Sequence, residues 1–222
     1  MGVSGGPNIV RDASLILELE AADRNSYPGS GTTWRDVSGN SGNGTLVNGV
    51  TYTTTYNGGF SFNAASSNYI SLPAVLNTNA DFTMIFTSTN PSDTGCVFSG
   101  VPGTTPGNLQ IRTTTTSVSL VKNTIAELGN FGANSATPFN TTNVFVIGLN
   151  KAATTSYCYI NGVFISTLAL NQTFTTTNPS LGASTNGEYF TGTMYNFSFY
   201  NRLLSATEIA QNYNATKSRF NL

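Results

Sequence analysis

The tightest constraint in this chain is the run Tyr157-Cys-Tyr-Ile-Asn161-Gly162-Val-Phe-Ile. Asn-Gly supplies two residues that accept positive φ, the requirement of a two-residue type I′ turn, and both flanks are β-branched or aromatic. One antiparallel hairpin follows directly. The same grammar recurs along the sequence as short alternating runs parted by Gly, Pro, Asn, Asp or Ser: Ser14–Glu20, Gly44–Asn48, Thr51–Thr55, Gly59–Asn63, Tyr69–Leu72, Phe82–Ser88, Cys96–Gly100, Asn108–Arg112, Ser117–Lys122, Val144–Asn150, Ser156–Ile160, Val163–Leu168 and Gly192–Tyr200. No helical segment interrupts these runs, so they predict an all-β antiparallel sandwich rather than a parallel α/β sheet. One helix is expected, at the end, where Ser205-Ala-Thr-Glu208 forms a capping box ahead of Ile209, Ala210 and Tyr213. It should pack on the sandwich edge.

A chain of 222 residues is long enough for one substantial core, expected here over residues 13–222. Residues 1–12 hold three Gly and one Pro before any periodic run and read as a flexible or docking arm. Between the first and fourth runs, Ser26–Leu46 is too rich in Gly, Ser and Asn for a helix, yet Trp34, Val37 and Leu46 recur as buried pegs of a structured loop.

Charged residues make up only 9% of the chain, nine basic against ten acidic, so hydroxyl and amide groups supply the polar surface. Without a Lys/Arg cluster, nucleic acid is not an expected partner. No apolar run has the length of a membrane span and the N-terminus lacks the pattern of a signal peptide, so synthesis in the cytoplasm without membrane insertion is expected. Cys96 and Cys158 each sit within an apolar run and read as buried free thiols.

Glu18-Leu-Glu20, with Asp23 three residues on, is the one constellation that resembles hydrolytic machinery. Period-two alternation places both carboxylates on one strand face, with Leu15, Leu17 and Leu19 on the other, and retaining glycosidases use two close carboxylates. Either a structural carboxylate pair or part of a metal site is the simpler account. The chain has no histidine, which removes imidazole-based triads and His-containing metal sites. No enzymatic activity is expected.

Asp36 and Asn40, with Asn43, place oxygen ligands on a Gly-rich loop and suit calcium. The competing account is that Asp36 and Asn40 cap turns through their own side chains. Carbohydrate binding would need an exposed aromatic platform beside amides and hydroxyls, for which Tyr27, Trp34, Tyr52, Tyr56, Tyr69 and Tyr189 are available. Trp34, Tyr56 and Tyr69 are carried forward as the ligand-binding set, against the alternative that each is a packing residue.

Several segments together resemble one known family. Leu15-Ile-Leu-Glu-Leu-Glu-Ala-Ala-Asp23, Ser26-Tyr-Pro-Gly-Ser-Gly-Thr-Thr-Trp-Arg-Asp36 and Ser38-Gly-Asn-Ser-Gly-Asn-Gly-Thr-Leu46 resemble the opening of the laminin-G-like, concanavalin A-like jelly rolls found in tailed-phage virion proteins. Gly59–Ile70, Tyr159-Ile-Asn-Gly-Val163 and Phe190–Ile209 are similar to the family's later landmarks, in order. The resemblance implies a jelly-roll β-sandwich and a non-enzymatic virion structural protein: a capsid decoration, fibre or tail surface component. Other virion proteins, a homo-oligomeric or arrayed state, and a host surface polysaccharide are the implied partners. A lectin-like adhesin is the alternative and a glycoside hydrolase the outlier. In the same family, the strand of laminarinases carries Glu-x-Asp-x-x-Glu, from which Glu18-x-Glu20-x-x-Asp23 departs at two of three positions. The virion relatives usually carry Asp where Glu20 stands and often Asn where Asp23 stands, so only Asp36 and Asn40 are carried over as metal ligands.

Overall fold

The computed structural model describes residues 8–90, 95–100, 108–114, 117–122, 126–132, 141–184 and 187–222. Among these described residues, sixteen strands form two antiparallel sheets packed face to face. The first contains β1 (Leu15–Glu20), β4 (Thr51–Thr53), β5 (Gly59–Phe62), β7 (Phe82–Thr89), β12 (Thr142–Asn150), β13 (Thr155–Ile160), β14 (Val163–Ala169) and β16 (Gly192–Tyr200). Its order is β14-β13-β12-β7-β16-β5-β4, and β1 also pairs with β16. The second runs β11 (Ala126–Asn130), β10 (Val118–Lys122), β9 (Leu109–Thr113), β8 (Gly95–Ser99), β15 (Ser180–Leu181), β6 (Tyr69–Ser71), β3 (Gly44–Val47) and β2 (Thr33–Trp34). The antiparallel sandwich predicted from the alternating runs, with the jelly-roll form that the family resemblance implies, is the fold observed.

The Asn161-Gly162 turn joins β13 to β14 with φ of 52° and 77° at its two residues, the positive values that favour this pair. Three strands escape the sequence pattern. β2 and β15 are two residues each, too short for alternation to register, and β11 carries Gly129 and Asn130 within its five residues, which weakens its strand signal.

Facing aromatic and aliphatic side chains fill the space between the sheets. Phe98 of the second sheet stacks on Phe197 of the first, with centroids 6.0 Å apart, and Leu17, Leu19, Ile111, Phe145 and Ile147 are fully buried around them. A second, smaller apolar cluster lies on the outer face of the first sheet, where Ile85, Val144 and Val146 meet Val10, Leu15, Leu204 and Ile209. Leu15 therefore does not share a face with Leu17 and Leu19. A register shift between Leu15 and Leu17 in the β1–β16 ladder resets the alternation and sends Leu15 outward.

Helix α1 (Ala206–Thr216) covers the centre of that outer face rather than the edge, because Ile209 needs the apolar floor that β7 and β12 provide. Its capping box forms as predicted: the Ser205 hydroxyl accepts from Glu208 N–H, and the Glu208 carboxylate accepts from Ser205 N–H. Residues 8–12 of the expected arm lie along the body of the domain. Val10 N–H donates to Asn212 Oδ1 at 2.6 Å, Tyr200 Oη–H donates to the Val10 carbonyl at 2.9 Å, and Arg11 and Asp12 pair with Glu18 and Arg202. Residues 1–7 lie outside the described residues. Cys96 and Cys158 are free and buried, on β8 and β13 of different sheets, and burial pushes both thiols up.

Arg202 gathers this outer layer by donating to both Glu208 and Asp12. Hydrogen bonds from Arg202 and Ser205 hold Glu208 at about 2, and those from Ser14 and Arg202 hold Asp12 at about 2. Both values lie below those of the unfolded chain, so the stabilisation is present above pH ~4.5 and lost as pH falls through about 2. Acid should accordingly detach α1 before it melts the sandwich, visible as early loss of the 222 nm signal in a pH titration. Ser205→Ala should cost about 1 kcal/mol at neutral pH in urea unfolding. An unchanged midpoint would remove the capping box from the stability account.

Candidate functional site

The first strand ends in a turn that shapes an open concavity. Asp23 builds this turn: its carbonyl accepts from Ser26 N–H and Tyr27 N–H, and its carboxylate accepts from Asn25 N–H at 2.8 Å. Ser26 ties the turn back to the sheet, accepting from Glu20 N–H and donating to the Arg35 carbonyl. Tyr27 is thereby turned inward. Its ring lies 5.0 Å from Tyr52 and 4.8 Å from Phe60, and its hydroxyl donates to the Gly31 carbonyl.

A groove of about 310 Å³ opens above this pair. Ala22, Arg24, Pro28 and Gly29 line one wall, and Tyr52, Thr54 and Asn57 the other. Arg24, Pro28, Gly29, Thr54 and Asn57 are exposed and Tyr52 is half-buried. Arg24 makes no ion pair among the described residues, so its guanidinium is available at the mouth. The half-buried Tyr52 ring, backed by the buried Tyr27, thus shares one open volume with a hydroxyl, an amide and a free fork of N–H donors. This set suits a ligand with apolar faces and a hydroxylated rim.

The residues singled out from the sequence are placed elsewhere. Trp34 is fully buried, 4.7 Å from the Phe60 ring, so it offers no platform to solvent. Tyr56 packs edge-on against Tyr195 and Phe220, with centroids 5.4 Å away in each case. Tyr69 is half-buried on β6 of the other sheet. The three do not converge. Tyr27 and Tyr52 do, although no spacing rule ties residues 25 apart, and only the closure of β4 against β5 brings them together.

Asp36 and Asn40 serve the turn. Asp36 Oδ1 accepts from Glu18 N–H and Ser38 N–H, and Oδ2 accepts from the Ser38 hydroxyl and Gly42 N–H, all between 2.8 and 3.0 Å. Four donors occupy this carboxylate, and positive N–H ends surround the place where a cation would sit. The Asn40 amide donates to the carbonyls of Leu15 and Ile16. The calcium pair expected there is replaced by a turn clamp, with Asn43 accepting from Asp36 N–H.

Glu18 and Glu20 do share a face, but it is the outer one, beneath Ile9 and α1. Glu18 pairs with Arg11 at 2.6 Å, and Glu20 pairs with Arg219. Burial pushes Glu18 up to about 7, Arg11 opposing, and pushes Glu20 up despite Arg219. The cavity they line measures about 40 Å³, far smaller than pockets that bury a sugar-sized ligand. Asp23, the third member of the glycosidase-like pattern, is committed to its turn.

A family model for the concanavalin A-like lectin/glucanase superfamily matches residues 62–210, more than half of the chain. The chain belongs to this superfamily. No curated protein sequence matches it. Among solved structures, it superposes on the binding domain of botulinum neurotoxin DC in complex with rat synaptotagmin II, with a TM-score of 0.68 and 15% identity over 92% of this chain and 52% of that one. The fourth domain of AbnA, an extracellular arabinanase from Geobacillus stearothermophilus solved with arabinotriose, matches with a TM-score of 0.68 and 15% identity over 90% of this chain and 98% of that domain. The chain spans about half the length of the neurotoxin domains it matches. At these identities the superfamily member shares a fold with them, and the site must carry any argument about function.

Proposed function

We propose that this chain is a non-enzymatic carbohydrate-binding jelly roll of a tailed-phage particle, displayed as a capsid, fibre or tail surface component and directed at host surface polysaccharide. The groove at Arg24, Tyr27, Tyr52, Thr54 and Asn57 carries the binding part of this reading. It is open, sets the Tyr52 ring beside polar groups, and is large enough for one or two sugar rings. Arabinotriose in a jelly roll of the same size supports the ligand class. The virion part is supported by the phage-type opening of residues 15–46, and other copies or virion proteins would then be its neighbours.

An array of bacterial surface glycans and arabino-oligosaccharides tests the binding reading. A hit should weaken at least tenfold in Tyr52→Ala and in Arg24→Ala, the loss of about 1.4 kcal/mol or more that a central aromatic or Arg anchor supplies. Trp34→Phe should leave the affinity unchanged. Silence across the array, or equal affinity in both groove variants, removes the proposal. Antibody labelling of purified particles tests the virion reading independently.

A further inference from the structure

The groove beside the first turn holds a single charge. Among the described residues that line it, only Arg24 is ionised at neutral pH. Four of the chain's six arginines are engaged by carboxylates: Arg11 by Glu18, Arg112 by Glu188, Arg202 by Asp12 and Glu208, and Arg219 by Glu20. Arg24 and Arg35 make no ion pair among the described residues, and of these two it is Arg24 that lines the groove. The acids nearest to it in sequence are committed elsewhere, since Asp23 accepts from Asn25 N–H and Glu20 is held by Arg219.

The wall opposite Arg24 is set before any ligand arrives. Arg219 donates to the carbonyls of Tyr56 and Gly58, and between them Asn57 stands at a φ of 65°, next to Tyr56 at 49°. Positive φ is uncommon for an aromatic residue and persists where surrounding bonds fix it. The Tyr52 hydroxyl lies 3.4 Å from the carbonyls of both Ala21 and Asn57, which joins the two walls at the ring. A ligand therefore meets a preset aromatic wall and one unpaired guanidinium, with little left to order on binding.

Neutral sugar hydroxyls are served by groups such as Thr54 and Asn57 and gain little from a fixed charge. A guanidinium presents a planar fork of N–H donors that matches a planar oxyanion, and charge-assisted bonds are roughly twice as strong as neutral ones. One positive charge also balances one carboxylate, whereas a phosphate monoester brings about −1.5 to −2 and leaves charge unmatched. We infer that the groove selects a carboxylated saccharide, its carboxylate paired with Arg24 and a ring face resting on Tyr52. The inference rests on the groove being the glycan site and adds which glycans that site takes.

Matched pairs test it: hexuronate and sialylated oligosaccharides, each beside its carboxyl-reduced neutral form, with sulfated and phosphorylated sugars as further anions, titrated calorimetrically into the full chain at low and high salt. The carboxylated member should bind at least about tenfold more tightly, and salt should shrink that advantage. Arg24 is exposed, so its substitutions leave the fold intact by circular dichroism. Arg24→Gln should bring the ratio within a pair to about one, and Arg24→Lys should keep only part of it, because a point charge lacks the fork. Tyr52→Ala should weaken both members and preserve their ratio. Equal binding within the pairs, preference for the sulfated or phosphorylated sugars, or a preference that survives Arg24→Gln overturns the inference, and the groove stands as a glycan site if Tyr52→Ala still weakens binding. Silence toward every sugar removes both readings together.

Discussion

Trp34→Ala should destabilise the protein by about 3–5 kcal/mol, enough to remove much of the stability of an ordinary domain. The strand that carries this residue is only two residues long, with Trp34 opposite Gly44 of β3. What holds the strand is the indole, fully buried and edge-on to Phe60, which in turn contacts Tyr27 and Tyr52. Truncation to Ala would empty the joint of the core beneath the 26–46 loop, and the surrounding rings are too large to collapse into the gap. Trp34→Phe should cost less, under about 2 kcal/mol, because the indole N–H has no hydrogen-bond partner among the described residues and its removal relieves an unmet donor. Urea unfolding followed by far-UV circular dichroism measures both. A small effect for Ala would show that the loop does not depend on its peg.

Arg219→Met should cost about 2–3 kcal/mol at pH 8, between the values for exposed and fully buried pairs, because it strands a half-buried carboxylate. The Arg219 guanidinium donates to Glu20, to the Tyr56 carbonyl and to the Gly58 carbonyl, and lies 4.8 Å from the Phe220 ring. It thereby ties the C-terminal turn to the first strand and to the groove-forming segment at residues 56–58. Burial already raises Glu20 above the ordinary carboxylate range, and loss of Arg219 raises it further. A carboxyl raised on folding contributes stability that is full below its unfolded value and lost as pH rises through the folded one. The deficit of Arg219→Met should therefore grow from pH 5 to pH 8. The pair Glu20→Gln with Arg219→Met should be less damaging than the two single losses combined. Strict additivity, or a deficit independent of pH, would reduce this latch to a surface contact.

Much of the fold was legible because its signals are local. Alternation fixes which side of a strand is apolar, Asn161-Gly162 fixes a turn through backbone sterics, and Ser205 with Glu208 fixes a helix start through hydrogen bonds three residues apart. Leu15 shows the limit of the same logic, since a single register shift against β16 reverses its side and nothing in residues 14–20 announces it. The candidate site was less legible. Trp34 has the composition of a sugar platform and the burial of a core residue, and those two states differ in whether Phe60 closes over it.

The sequence by itself determined the antiparallel sandwich and the terminal helix with its cap, each of which depends on neighbours within a few positions. Only the tertiary structure decided that Tyr27 meets Tyr52 at an open groove, that Asp36 spends its oxygens on four donors, and that Glu18, Glu20, Asn196 and Thr87 line one buried cavity. Those relations are set by which strands lie side by side, and strand order in a sheet is fixed by how the whole core packs rather than by any segment alone.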